Sequence, residues 1–286
     1  MKKVYLAVLL LLGFASVKSQ DLDDIRKMIY LKQYTKAKPE LDKFLANAGN
    51  ASKADAWYYK GFLYGAMSRE PNVSTADAAQ LAKDAFAALK KYKELDAKEK
   101  LTKEEENGTI FNLYYTLYDL AVKNYGDKDF QSSFNNFADA LTIHDYIYSN
   151  KMTGPKALSF TAMDTDVVTN ILVVGNELKK EAELVPYYKR IVDNKLSDQK
   201  FLGSYESLVL YYKKAKDQAA FDEYLAKGKA TFPNEPFWEA VDVEYATDGL
   251  KGDALFKKYD ELTTKYPNSY TVFFNYGYEL NNYIGS

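Results

Sequence analysis

The chain has 286 residues and no cysteine. Disulfides are excluded, and so is a lipid anchor carried on a cysteine behind a leader segment. Histidine occurs once, at His144. With no cysteine to help it, one histidine cannot build an ordinary zinc site, nor a Ser-His-Asp triad alone. Its place near the end of a helical run reads as a surface or hydrogen-bond-satisfied histidine. No G-x-S-x-G, Walker-type or G-x-G-x-x-G loop occurs. The stretch Gly203-Ser204-Tyr205-Glu206-Ser207 lacks the second glycine of a nucleophile elbow, and Ser204 reads as a helix N-cap. Excess basic charge is missing too, with 38 Lys and Arg against 40 Asp and Glu.

One apolar run stands out, from Val4 to Phe14, behind the basic start Met1-Lys2-Lys3 and ahead of the small and polar residues Ala15 to Gln20. It is too short to span a membrane, and no second such run follows. Residues 1–19 read as a signal peptide, with cleavage before Gln20 preferred and before Asp21 the alternative. Removing Lys2, Lys3 and Lys18 leaves 35 basic against 40 acidic side chains, a mature charge of −5. That balance argues against nucleic acid and against an anionic membrane surface. The expectation is an exported protein, periplasmic or released from a Gram-negative cell, not a lipoprotein and not membrane-inserted after cleavage.

What the chain does contain is a recurring helical pattern. In Trp57-Tyr58-Tyr59-Lys60-Gly61-Phe62-Leu63-Tyr64, residues Trp57, Lys60, Gly61 and Tyr64 share one helix face at i, i+3, i+4 and i+7. Two antiparallel helices cross closely only where one offers no side chain, so a glycine there marks the crossing and large aromatics fill the gaps beside it. A second helix should follow with small and apolar residues, supplied by Ala82, Phe86 and Leu89 after an insertion.

Degraded copies run along the chain. Residues 22–48 hold a first pair, with Pro39 expected in the first turn of its second helix. Ser68 to Thr75 is a loop, and Thr75 resembles the N-cap of 76–95. Residues 97–108 read as an exposed charged connection, helical in part. A third pair covers 109–143, followed by a long break up to about Ala162. A fourth joins Val167–Leu178 to a helix entered through Pro186. Tyr205 to Pro233 and Trp238 to Pro267 form the fifth and sixth, each with twelve residues from Phe221 or Leu255 to its closing proline. Phe273, Tyr276, Gly277 and Leu280 restart the pattern. Leading positions fall near 21, 57, 117, 169, 205, 238 and 273, a period of about 34 with two insertions.

On these residues the chain resembles the tetratricopeptide-repeat (TPR) proteins, and in particular exported ones of Bacteroidetes-type bacteria. The resemblance covers residues 20–286, with the last repeat incomplete. It implies an all-α, right-handed α–α superhelix of about six and a half helix pairs, whose first helices line a concave groove for peptides or protein surfaces. In that register Tyr58, Phe62, Tyr118, Asn170, Glu177, Glu206, Lys213 and Glu239 face the groove. Their mixed charge points to a polar protein or peptide ligand. Phe273, Phe274, Tyr276, Tyr278 and Tyr283 lie on the last helix with no capping helix after them. The expectation is that a longer repeat protein continues there, with docking onto a partner as the alternative.

Tyrosine is over-represented at 26 residues, several in pairs: Tyr58-Tyr59, Tyr114-Tyr115, Tyr187-Tyr188 and Tyr211-Tyr212. One of each pair is expected in the core and the other near the groove or solvent, giving an aromatic surface for protein segments. The competing reading is a glycan- or peptidoglycan-binding protein stacking sugars on those rings. Acidic clusters at Asp21-Leu22-Asp23-Asp24, Glu104-Glu105-Glu106 and Asp164-Thr165-Asp166 sit at helix starts or connections, where acids favour the helix dipole. An exported hydrolase is therefore the least favoured of three readings. No enzyme activity, metal or cofactor is expected.

Overall fold

The computed structural model describes residues 21–285. The expected signal peptide, 1–19, lies outside the described residues. Among those described there are fifteen α-helices, two short 3-10 turns and no strand. The all-α expectation holds, and helices adjacent in sequence pack as pairs.

The chain forms two compact units. One comprises the described residues up to Leu120 together with Thr142–Phe160, and the other comprises Ala121–Leu141 together with the described residues from Thr161 on.

In the first unit, α1 (Leu22–Tyr30) buries Ile25 and Ile29 against α2 (Tyr34–Ala46), which buries Ala37, Leu41, Phe44 and Leu45. A single turn, α3 (Ala48–Ala51), leads into α4 (Ala54–Met67). α4 is buried on both sides, through Tyr58, Tyr59, Gly61, Leu63, Tyr64 and Gly65. Its partner α5 (Thr75–Leu95) offers Ala78, Ala82, Ala85 and Leu89 to the contact. That run of small side chains lets the two backbones approach closely. The short α6 (Lys100–Glu104) packs back onto α4. α7 (Gly108–Gly126) and α8 (Phe130–Ser149) each contribute to both units.

The second unit continues through α9 (Thr165–Glu177) and α10 (Glu181–Asp193), then α11 (Leu202–Ala215) and α12 (Gln218–Thr231), then α13 (Phe237–Thr247) and α14 (Gly252–Lys265), and finally α15 (Tyr270–Ile284). The equal twelve-residue spacing becomes equal geometry here. Phe232 and Tyr266, each just before a proline, close their helices at φ/ψ of −127/67° and −126/68°. Each sends its N–H to the carbonyl four residues back, Gly228 or Leu262, at 2.8 Å. The tryptophans repeat a second joint. Trp57 Nε1 donates to Ala51 O at 2.9 Å and Trp238 Nε1 to Phe232 O at 2.8 Å, each fastening a first helix to the end of the preceding segment.

Several local expectations are corrected. Pro39 and Pro186 are each the sixth residue of their helix, not first-turn residues. Each removes one i→i−4 donor, and packing of Leu41 in one and Tyr188 in the other carries the helix through. The N-cap of α5 is Ser74, one residue before Thr75. Its Oγ accepts from Asp77 N at 3.1 Å and donates to Asp77 Oδ2 at 2.7 Å, a reciprocal cap. Ser204 caps nothing, because a 3-10 turn at Gln199–Phe201 starts the helix earlier and leaves Ser204 buried in its third position.

Candidate partner-binding faces of the first helices

In the second unit α9, α11 and α13 are the first helices of their pairs. α11 buries Ser204, Tyr205, Leu208, Val209 and Tyr212, and turns Leu210 and Lys214 outward, with Glu206, Ser207 and Lys213 half-buried at the edges. α9 repeats this exposure thirty-seven residues earlier. Val173 stands where Leu210 does, Asn176 where Lys213 does and Glu177 where Lys214 does (173 to 210, 176 to 213, 177 to 214). The leading buried position of α9 is therefore Val168, one residue before the position the spacing predicted. No aromatic marks this repeat, so its register was legible only from burial.

Successive first helices are joined along this face. Lys213 Nζ of α11 pairs with the Glu244 carboxylate of α13. Ser269, the N-cap of α15, donates its hydroxyl to Glu239 of α13. Glu206 lies half-buried near Glu235, itself bonded by Gln199 Nε2 at 3.1 Å. Burial first, and then the charge of Glu235, push the Glu206 carboxyl above its usual value. The five expected residues of this unit thus occupy the first helices as follows. Glu177 is exposed, Asn170, Glu206, Lys213 and Glu239 are half-buried, and Lys213 and Glu239 already hold neighbouring helices together.

Beside this face lies a cavity of about 240 Å³ whose walls include Asn176, Tyr188, Leu210 and Tyr211. Tyr188 Oη donates to Asn176 Oδ1 at 3.1 Å. Lys214 and Glu181, also in its wall, pair at 2.7 Å. Tyr211 belongs to a pair the sequence marked, and it is the less buried member, with Tyr212 in the core; Val173, Leu210, Lys214 and Glu244 were not singled out from the sequence. The signal that could have found them is their offset from the Tyr205 and Trp238 positions, which places them on the outward side of each first helix.

The first unit differs. Tyr58 is only 7% exposed and packs on Tyr59, Phe62 and Tyr92 at ring-centroid distances of 5.1, 6.2 and 5.6 Å. Both members of the Tyr58-Tyr59 pair are buried, against the expected one-in, one-out pattern. Tyr114 and Tyr115 do follow it, at 8% and 43% exposure. Phe62 is half-buried beside Tyr58, and Tyr118 is half-buried with its ring 6.4 Å from that of Tyr114.

The 97–108 connection is not simply exposed, since it buries Thr102 and Asn107. Tyr92 Oη accepts from Leu101 N at 2.8 Å, and Asn107 Nδ2 donates to Thr153 O at 2.9 Å. Glu105 is half-buried beside it. One carboxylate oxygen accepts from Thr109 Oγ1 at 2.7 Å, and the other, Oε1, is buried without a partner. Burial pushes this carboxyl up to about 7, only partly opposed by the bonds from Thr109 and the charge of Arg69. Burial, and next the charge of Glu105, raise the Tyr58 hydroxyl in turn.

The 150–164 connection folds down likewise. Phe160 stacks on His144 at 4.9 Å and 15°, with Phe111 at 4.9 Å and Tyr114 at 4.8 Å. His144 is thereby 3% exposed, so of the two options the sequence offered it is the satisfied, buried one. Among the described residues no group of three or more His, Cys, Asp or Glu could hold a metal ion, and no described helix is long and apolar enough to cross a membrane. Ser207 Oγ donates to Gly203 O at 2.6 Å, a bond within its own helix.

No family model matches the chain, and no curated protein matches it. Among solved structures it is similar to PilW, described as a widely conserved type IV pilus biogenesis factor, at 11% identity and a TM-score of 0.28 over 87% of this chain and 94% of that one.

Proposed function

We propose that the chain is a non-enzymatic protein-interaction module of the cell envelope, and that the outward face of α9, α11 and α13 receives a segment of a partner protein. The observation that carries this is the Lys213–Glu244 ion pair. It ties α11 to α13, and the cavity shared by Asn176, Leu210 and Tyr211 sets α9 beside α11. That face alternates exposed aliphatic side chains, Val173 and Leu210, with Glu177, Glu206, Lys213 and Lys214. Isolated apolar contacts flanked by both signs of charge suit a polypeptide carrying apolar and charged side chains in alternation. They do not suit a polyanion.

Tyr58 is buried in the core of the other unit, where Phe62 and Tyr118 offer partial surfaces. The glycan reading ranks second. The rings of Tyr58-Tyr59, Tyr114-Tyr115 and Tyr211-Tyr212 meet at 75–85°, edge to face, so a pair does not make a flat stacking platform. Location in the envelope rests on the leader-like residues 1–19.

The test is capture from envelope extract by the immobilised protein, comparing wild type with the double variant Val173→Glu plus Leu210→Glu. Both positions are exposed, so the circular dichroism should not change. One protein captured by the wild type and lost in the variant supports the reading. Equal capture by both would remove this face from consideration.

A further inference from the structure

Helix α15 is buried on one side only. Val272 is its fully buried side chain, while Tyr276 stacks on Tyr259 at 5.2 Å and Tyr283 meets Phe256 at 5.1 Å. The other side carries Tyr270, Phe273, Phe274, Tyr278 and Ile284, all between 50% and 82% exposed. At 3.6 residues per turn, Tyr270, Phe273, Phe274, Gly277, Asn281 and Ile284 fall in one stripe, with Tyr278 at its edge. The one charged residue of the helix, Glu279, points away from that stripe.

Gly277 sits at the centre of the stripe, and the molecule shows what such a glycine is for. At Gly61 of α4 a Cβ would stand 2.6 Å from Leu89 of the following helix, and at Gly175 of α9 it would meet Leu184 of the following helix. In both, a leucine of the paired helix is seated on bare backbone. Among the described residues nothing lies within 4 Å of a Cβ built at Gly277. Gly126 and Gly203 are open too, but at helix ends, whereas Gly277 is mid-helix at the centre of an apolar stripe.

We propose that this seat takes α15 of a second copy of the chain, in an antiparallel crossing centred on Gly277. Three observations select the second copy. The first is register: Tyr270 and Ile284 are each seven residues from Gly277, so a symmetric antiparallel crossing lays Tyr270 of one copy on Ile284 of the other. These are the two most exposed side chains of the stripe, at 78% and 82%. The second is charge. The stripe carries none, so pairing it with itself brings no like charges together, and it offers nothing for a charged partner to recognise. The third is area. At roughly 200 Å² for a large side chain, its exposed fractions sum to about 650 Å² per copy. Two such faces bury about 1,300 Å², inside the range of specific interfaces and at its weaker end.

The absence of cysteine makes the test direct. Gly277→Cys places the sole thiol of the chain on the proposed symmetry axis, in space that is open in one copy. Under mild oxidation it should give a disulfide-linked dimer, while Glu279→Cys, on the far side of the helix, should give none. Sedimentation velocity on the purified wild-type chain should show a monomer–dimer equilibrium with a dissociation constant of roughly 1–50 μM. Phe274→Glu should weaken it at least tenfold with circular dichroism unchanged. The proposal is overturned by a wild type monomeric at about 100 μM, or by association that persists in Phe274→Glu. It is also overturned if Gly277→Cys does not cross-link, which would mean that another surface or another protein is the partner.

Discussion

Gly61 and Leu89 lie so close that their helices share one van der Waals surface: a Cβ on Gly61 would be 2.6 Å from Leu89 Cδ2 and 3.2 Å from the carbonyl of Ala85. The α4–α5 contact depends on that missing side chain. Gly61→Ala should gain roughly 0.5–1 kcal/mol of helix propensity and lose about 1–3 kcal/mol to overpacking. A net loss of about 1–2 kcal/mol by urea denaturation is expected. Gly277→Ala makes the contrast. With open space around it in a single copy, only the propensity gain of about 0.5–1 kcal/mol remains in dilute, monomeric protein. Equal effects at the two positions would refute the close-crossing account.

Asp242 is buried at 8% exposure and takes bonds from Lys265 Nζ at 2.6 Å, Lys229 Nζ at 3.2 Å and the Tyr266 hydroxyl. Burial alone would raise its pKa, but the bonds from Lys265 and Tyr266 and the charge of Lys229 hold it below the usual value. Because the folded pKa is the lower one, the carboxylate's stabilisation is complete above the unfolded value near 3.8 and is lost as pH falls through the folded one. Asp42, bonded by Tyr64 at 2.5 Å and Lys38 at 2.9 Å, behaves the same way more weakly, being more exposed. Asp242→Asn should cost about 3 kcal/mol at pH 7 and flatten the acid limb of the stability curve. Thermal melts between pH 2 and 7 read both.

Glu105 has the opposite sign. Its folded pKa is raised from 4.5 to about 7, so the folded state holds the proton more tightly than the unfolded chain does. Stability is therefore higher below about pH 4.5 and falls as pH rises towards 7, where the buried carboxylate ionises with Oε1 unpaired. Glu105→Gln should leave stability at pH 4 nearly unchanged and raise it at pH 8 by about 1–3 kcal/mol. A variant no more stable than wild type at pH 8 would show that the carboxylate finds a partner in solution.

Phe160 anchors the 150–164 connection by stacking on His144. It is half-buried, so Phe160→Ala should cost about 2 kcal/mol, below the ~3–5 kcal/mol of a fully buried phenylalanine. Amide exchange should accelerate at Gly154, whose N–H is bonded to Leu158 O at 2.8 Å, while α4 and α5 keep their protection. If exchange at Gly154 is unchanged, the segment is held by the Asn107–Thr153 bond instead.

The helix pairs were legible in the sequence because their determinants are local. Apolar residues at i, i+3 and i+4, tryptophans six residues after a helix-closing carbonyl, and prolines twelve residues after Phe221 and Leu255 record the short-range geometry of the repeat. Gly61 as a crossing point was readable for the same reason. What the sequence could not fix is what covers each first helix from outside. Tyr58 and Leu210 both stand on outward positions of the repeat pattern, but Tyr58 is buried at 7% and Leu210 is 45% exposed. The 97–108 connection packs back on α4, whereas among the described residues the connection before α11 leaves Leu210 exposed. The raised carboxyl of Glu105 and the burial of His144 also depend on segments folding back over them. Those contacts join residues tens of positions apart, and no periodicity records them. Local spacing determined the helices and their pairing. Which faces stay open, and so which residues can meet a partner, was decided only when the connections folded down.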